Sequence, residues 1–308
     1  MRGFCCVTAF FNPAGYRSRA RNYRIFADRL ADQGVRLVTA ELALADRPFE
    51  IPESDDIIRL RSGSVMWQKE RLVNYAVSAL PPECDRVAWL DGDLLFPERG
   101  WVEQVAEALD KHDVVQLFSE VRHLAPGVCH PNGDVLESDI SLVCQATEFP
   151  DWMARRKAGE LPFAVPGYAW AARRSVFSAA GLYDRLILGN GDAFLADCLL
   201  ESLGMHHYWH SRTPGMAADM DRWRIRFLAP GGARVGLVPG VVFHLWHGRF
   251  VDRRYRDRDA ILLRHNFDPT TDLDERNGVH EWSSDKPELH AEVHSYFLSR
   301  DEDALTEI

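Results

Sequence analysis

The sequence predicts an α/β protein with a mostly parallel central sheet flanked by helices, continued by a smaller mixed half. Three observations predict it. Through residues 1–120, apolar runs of strand length alternate with segments of helical period, the pattern of a parallel sheet covered on both faces. Turn-forming and acidic residues follow the strands, where ligands of open α/β sheets bind. The 308 residues, 46% hydrophobic and 27% charged, have an ordinary globular composition, enough to bury about three-quarters of the unfolded surface.

The elements follow in order. Phe4–Phe11 is a buried strand rich in β-branched and aromatic residues, stopped by Asn12-Pro13-Ala14-Gly15. A helical period places Tyr23, Phe26, Leu30 and Ala31 on one face. Strands are expected at residues 35–42 and 56–60, then a helix at 67–80 with Leu72, Val73, Ala76 and Leu80 inward. Arg86–Leu90 is a strand running into Asp91-Gly92-Asp93, followed by a helix at 101–109 and a strand at 113–118. In the second half, 163–172 reads as a strand and 173–179 as a helix. Gly189-Asn190-Gly191-Asp192 opens a helix reaching residue 203. Residues 234–245 give one or two strands broken at Pro239-Gly240, and 250–263 a strongly charged helix. Residues 1–265 form the core unit, with a nucleotide-binding half at 1–120 and an acceptor or catalytic half at 121–265. Residues 266–308 are an acidic extension with a helix at Pro287–Leu298.

Composition excludes several classes. No apolar run approaches the roughly 20 residues of a membrane span, and the N-terminus lacks a signal peptide's apolar core. A net charge of −10 opposes binding to nucleic acid, which needs excess Lys and Arg. The six cysteines include no Cys-x-x-Cys pair, so all six are expected reduced and structural. These features suggest a soluble cytoplasmic protein.

Four constellations can carry chemistry. Asp91 and Asp93, one residue apart after a buried strand, can share a divalent cation such as Mn²⁺ or Mg²⁺ with bound phosphates, although Asp-Gly also makes turns. His244 and His247 are spaced to face one ion, or to fill the core and cap a helix. Asp192 beside Gly191 can accept a proton from a hydroxyl, or serve as a helix N-cap. Arg249, Arg253, Arg254, Arg256 and Arg258 can serve a pyrophosphate, but interleaved Asp252, Asp257 and Asp259 favour a self-paired face. Tryptophans and tyrosines near turns, among them Trp67, Tyr168 and Trp170, offer stacking surfaces for sugars or bases.

The order of these motifs over residues 4–265 resembles the GT-A glycosyltransferases, and in layout the beta-1,4-galactosyltransferases. Trp67-Gln68-Lys69-Glu70-Arg71-Leu72-Val73-Asn74 resembles that family's aromatic-Asn-Arg-Ala-Lys-Leu-Leu-Asn helix start. Asp91-Gly92-Asp93 stands where its Asp-Val-Asp stands, and Pro166-Gly167-Tyr168-Ala169-Trp170 resembles its Gly-Gly stretch. Gly189-Asn190-Gly191-Asp192 resembles its Gly-Gly-Glu-Asp loop, with Gly191 in place of Glu. His244-Leu245-Trp246-His247 resembles its metal-binding segment, with His244 in place of Met.

The resemblance implies a GT-A fold and an inverting, nucleotide-sugar-dependent transferase of the hexosyltransferase type, with a UDP-sugar donor and a carbohydrate or other hydroxyl acceptor. It implies Mn²⁺ (or Mg²⁺) on Asp91, Asp93, His244 and His247. Donor contacts fall to Asn12, Arg19, Trp67, Lys69, Asp91 and Gly167, and acceptor contacts to Tyr168, Trp170 and Gly191, with Asp192 as catalytic base. The rivals are a Mg²⁺-dependent nucleotidyltransferase, against which stands the absence of a Gly-rich phosphate loop with a following Lys, and a non-catalytic carbohydrate- or nucleotide-binding protein of the same fold.

Overall fold

The computed structural model describes residues 3–228, 232–255 and 257–304. The first half contains β1 (Phe4–Phe11), α1 (Arg17–Asp32), β2 (Leu37–Leu44), β3 (Ile57–Ser62), α2 (Lys69–Ala79), β4 (Arg86–Leu90), β5 (Leu94–Leu95), α3 (Trp101–Lys111) and β6 (Val114–Gln116). The chain continues through β7 (Glu120–Leu124), β8 (Val135–Ser141), α4 (Leu142–Glu148), α5 (Trp152–Lys157), β9 (Ala164–Val165), β10 (Ala169–Arg173), α6 (Arg174–Ala180), α7 (Gly191–Leu199) and α8 (Pro214–Leu228). It ends in β11 (Val235–Leu237), β12 (Val241–His244), α9 (Ala260–Arg264), β13 (Leu273–Arg276), β14 (Val279–Trp282) and α10 (Pro287–Leu298).

Seven strands form the main sheet in the order β11-β6-β10-β4-β1-β2-β3. Only β10 runs against its neighbours, pairing antiparallel with both β4 and β6. This is the mostly parallel, helix-flanked sheet that the alternating pattern predicts. Both faces are covered, and the period-2 alternation of β1 divides its side chains between them. Cys5, Val7 and Phe11 join Leu72, Val73, Ala76 and Val77 of α2. Phe4, Cys6 and Phe10 join Phe26 and Leu30 of α1 and Val105 and Leu109 of α3. A second sheet, β5-β12-β7-β8-β9, lies beyond the ends of β4 and β6.

Several expectations need correction. The strand expected at 163–172 is two, β9 and β10, because Tyr168 takes a left-handed backbone (φ 76°). The charged helix expected at 250–263 is a single 3₁₀ turn, Phe250–Arg253, followed by the short α9. Alternating Arg and Asp leave that segment no continuous apolar stripe to bury, and Arg254 breaks it with φ 48°; Arg256 lies outside the described residues. The hairpin β7–β8 and the helix α8 were not expected at all. Cys5 and Cys84 are joined by a disulfide, their Cα atoms 6.0 Å apart, because Cys84 leads into β4, the neighbour of β1. The cysteines therefore do not argue for a reducing compartment. Among the described residues, no helix is long and apolar enough to cross a membrane. Leu289, Val293, Tyr296 and Phe297 of α10 lie in the same core as β1 and α2.

Candidate active site

Backbone pairing brings the acidic turn and the histidines together. After β4, Asp91 N donates to Tyr168 O at 2.8 Å. The chain then enters β5, which pairs antiparallel with β12, placing Leu94 opposite His244. Leu245 N donates to Asp93 O at 2.9 Å, fixing the turn against the histidine segment. Asp93 Oδ2 lies 3.1 Å from His247 Nε2, Asp93 Oδ1 lies 3.7 Å from His244 Nε2, and the two Nε2 atoms are 3.1 Å apart. One donor atom from each of the three residues falls within 4.8 Å of the others.

The surroundings suit a cation. Asp93 Oδ1 is buried without a hydrogen-bond partner. Burial pushes the Asp93 carboxyl up, but His244, His247 and Arg19 hold it below its ordinary value, so it stays charged. Burial drives His244 well below its ordinary value, opposed by Asp93 and assisted by His247, His123 and Arg253. A neutral imidazole keeps a lone pair for a metal. His244 Nδ1 faces His123 Nδ1 at 3.2 Å, and His123 Nε2 faces Asp139 Oδ2 at 3.0 Å. This carboxylate–imidazole chain orients the ring from behind. One carboxylate and two imidazoles, converging around an unpaired oxygen, fit a divalent cation.

A second cluster adjoins the first. Lys69, the first residue of α2, places Nζ 2.9 Å from Asp91 Oδ1 and 2.5 Å from Asp192 Oδ2. Asp192 lies in the first turn of α7, but the N-cap is Asn190, with φ 76° and no side-chain cap. The Asp192 carboxylate is therefore turned to Lys69 and does not cap the helix. Gly191 is required by packing, since a Cβ there would strike the Glu70 carboxylate; a Cβ on Gly167 would lie 3.2 Å from Asp192 Oδ2. Glu70 Oε2 accepts from Trp67 Nε1 at 2.8 Å. Burial pushes Glu70 up to about 8, with Lys69 pulling down and Asp192 pushing up. Burial likewise raises Asp91 to about 6 against the pull of Lys69. Despite its own burial, Lys69 is held well above its ordinary value by Asp192, Asp91 and Glu70.

The other expected residues are distributed unevenly. Trp67 meets Phe11 edge-on, 5.3 Å between centroids, with the Arg300 guanidinium 5.7 Å from its ring. Arg19 faces the site but is paired with Glu302. Asn12 spends its amide on the turn after β1, exchanging hydrogen bonds with Tyr16 and donating to Glu50. Tyr168 packs edge-on against His244 at 5.2 Å. Trp170 requires correction as an acceptor contact: it is fully buried, stacked near Trp89 and hydrogen-bonded to Pro166 O, because β10 sits in the middle of a sheet covered on both faces. Of the arginines after His247, Arg253 reaches that ring, with Nη2 3.2 Å from Nε2. Sequence reasoning missed His123, Asp139, Arg300 and Glu302. His123 stands opposite His244 in the β7–β12 register, a pairing between strands that no local pattern announces.

No protein-family model and no curated protein matches the chain. Solved structures are similar to it at low identity. The catalytic domain of Drosophila beta1,4-galactosyltransferase 7, in complex with xylobiose, is 14% identical over 64% of this chain, with TM-score 0.33; the match spans 60% of that chain. Glucosyl-3-phosphoglycerate synthase from Mycobacterium tuberculosis, in complex with Mn²⁺, UDP and phosphoglyceric acid, is 15% identical over 88% of this chain and 81% of that one, with TM-score 0.38. The 4-diphosphocytidyl-2C-methyl-D-erythritol synthase from Anaerococcus prevotii is 10% identical over 77% and 88%, with TM-score 0.34.

Proposed function

We propose that the chain is a metal-dependent, inverting glycosyltransferase that moves a sugar from a nucleotide-diphosphate donor, a UDP-sugar, to an acceptor hydroxyl. The observation that carries this reading is the convergence of Asp93, His244 and His247 within 4.8 Å, beside a carboxylate on a separate helix, Asp192. Asp93, His244 and His247 would hold the cation, with Asp91 close by. Two imidazoles make a borderline donor set, better suited to Mn²⁺ than to the oxygen-seeking Mg²⁺. A bound divalent ion supplies neutralisation of the charge that develops on the departing diphosphate.

The chain's own residues do the rest. Trp67 offers its ring to the nucleobase. Asp192, with its side chain 20% exposed, receives the acceptor proton as the acceptor oxygen bonds to the anomeric carbon and the bond to the diphosphate breaks. Lys69 holds the Asp192 carboxylate in place until the hydroxyl arrives. Gly167 bounds the donor side, and Tyr168 and Gly191 the acceptor side.

A panel of nucleotide sugars, assayed for nucleotide release with Mn²⁺ and with EDTA, tests the reading. The expected result is metal-dependent release of UDP from a UDP-sugar. Pyrophosphate release from a nucleoside triphosphate and a sugar phosphate, with every nucleotide sugar left intact, would instead make the protein a nucleotidyltransferase.

A further inference from the structure

The last residues of the described chain lie across the candidate site. Beyond α10, Ser299 to Ala304 run over α1 and over the turn that carries His247. Asp303 accepts from Arg17 N at 3.0 Å and from Ser18 N at 2.8 Å, capping a helix that has no side-chain cap at its own N-cap residue. Trp246 Nε1 donates to Ala304 O at 3.0 Å, and Asp301 N donates to the Tyr16 hydroxyl at 3.0 Å. The contact with the His247 turn is so close that a Cβ on Gly248 would come within 2.8 Å of Asp301 O and Glu302 Cα.

Within this strap, the Glu302 side chain is buried between two guanidinium groups. Arg19 Nε lies 2.5 Å from Oε2, Arg300 Nε lies 2.8 Å from Oε1, and His247 Nδ1 lies 3.6 Å from Oε2. Arg300 also stands over the Trp67 ring. The carboxylate therefore occupies the ground between the Trp67 ring and the Asp93–His247 pair, where the reading above requires a diphosphate. Its charge matches that place, but its hydrogen bonding is incomplete. Arg19 Nη2 donates to Oε1 at 2.8 Å, whereas Arg300 Nε and Glu302 Oε2 make ion-pair contacts without hydrogen-bond alignment, and Arg300 Nη1 is buried with no hydrogen-bond partner. Arg300 itself is 4% exposed. Two guanidiniums offer more donors than one carboxylate accepts, and a diphosphate carries more acceptor oxygens in a similar space.

We propose that Arg19 and Arg300 form a diphosphate clamp and that Glu302 is its built-in occupant, displaced when a nucleotide diphosphate binds. This rests on the donor reading above. The strap is suited to leave. Residues 301–304 are Asp, Glu, Asp and Ala, held by ion pairs and hydrogen bonds, while buried Arg300 and the apolar anchors Val293, Tyr296 and Phe297 stay behind with α10. Contacts of that kind yield to a competing anion far more readily than apolar burial does.

The test uses the full chain, inorganic pyrophosphate as probe and metal-free buffer, so that its outcome is independent of transfer activity. If the strap is closed about nine-tenths of the time, removing its charge raises apparent affinity about tenfold. Calorimetry should therefore show pyrophosphate binding E302Q about tenfold more tightly than wild type, and the gain should vanish in R300Q/E302Q. Hydrogen exchange on the wild-type chain, which needs no variant to fold, should show faster uptake at residues 301–304 and at Arg17 and Ser18 when pyrophosphate is added. Equal affinity in wild type and E302Q, or exchange that is unchanged or slower in the strap at saturating pyrophosphate, overturns the proposal. Tight, strap-releasing pyrophosphate binding without turnover of any nucleotide sugar would leave the clamp standing and remove the glycosyltransferase reading instead.

Discussion

Replacing Glu70 with Gln isolates the electrostatics of the acid cluster. Glu70 is 4% exposed, with Oε2 bonded to Trp67 Nε1 and Oε1 without a partner. Burial, opposed by Lys69 and assisted by Asp192, raises its carboxyl from the ordinary 4.5 to about 8. In that window the folded chain holds a proton that the unfolded chain has released, so stability falls as pH rises through it. The full slope is about 1.4 kcal/mol per pH unit, or about 4 kcal/mol between about pH 5 and 8. Rearrangement of the neighbouring Lys69 reduces the expected loss to about 2–4 kcal/mol. Gln retains an acceptor for Trp67 and cannot ionise. E70Q should therefore match wild type at about pH 5 and exceed it by about 2–4 kcal/mol at about pH 9. Urea unfolding in EDTA, followed by tryptophan fluorescence at both pH values, measures this. A gap between the proteins that is equal at the two pH values would refute the assignment of a buried, proton-holding Glu70.

Three further outcomes are expected. Asp93→Ala should weaken Mn²⁺ by about 100-fold or more in calorimetry, whereas His123→Ala, acting only through His244, should cost about 10- to 100-fold. Asp192→Asn should lower transfer about 10²–10⁴-fold with donor affinity unchanged, and near-wild-type transfer would remove Asp192 as base. Trp67→Ala should weaken UDP by about 1–3 kcal/mol, read by titration, and normal affinity would place the base elsewhere.

What could be read from the sequence was what is local. The strand Phe4–Phe11, the strand Arg86–Leu90 and the helix Pro287–Leu298 coincide with β1, β4 and α10, because each carries its own periodicity or turn signal. The association of Asp93 with His244 and His247 could be suggested from residue types, yet the pairing of β5 with β12 that creates it depends on a two-residue strand. His123, Arg300 and Glu302 had no such signal. Each acts through a partner far away in sequence, and a lone histidine on β7 or an arginine in an acidic tail looks like any surface residue. Trp170 failed for the opposite reason: being near a Gly-Tyr turn suggested a stacking ring, but the turn reverses the chain into the centre of the sheet.

The dispersal of the site along the chain sets an order on its assembly. Strand β10 lies between β4 and β6, so the main sheet cannot close until residues 169–173 have been made. Arg19 and Glu302 are separated by 283 residues. At synthesis rates of about 5–20 residues per second, roughly a quarter of a minute to a minute passes between them. During that time Asp91, Asp93 and Glu70 emerge with Lys69 as their neighbouring cation, while His244, His247 and Arg253 have not yet been joined to the chain. A product that stops before residue 244 carries the carboxylates without the imidazoles, whatever its strands have managed to form.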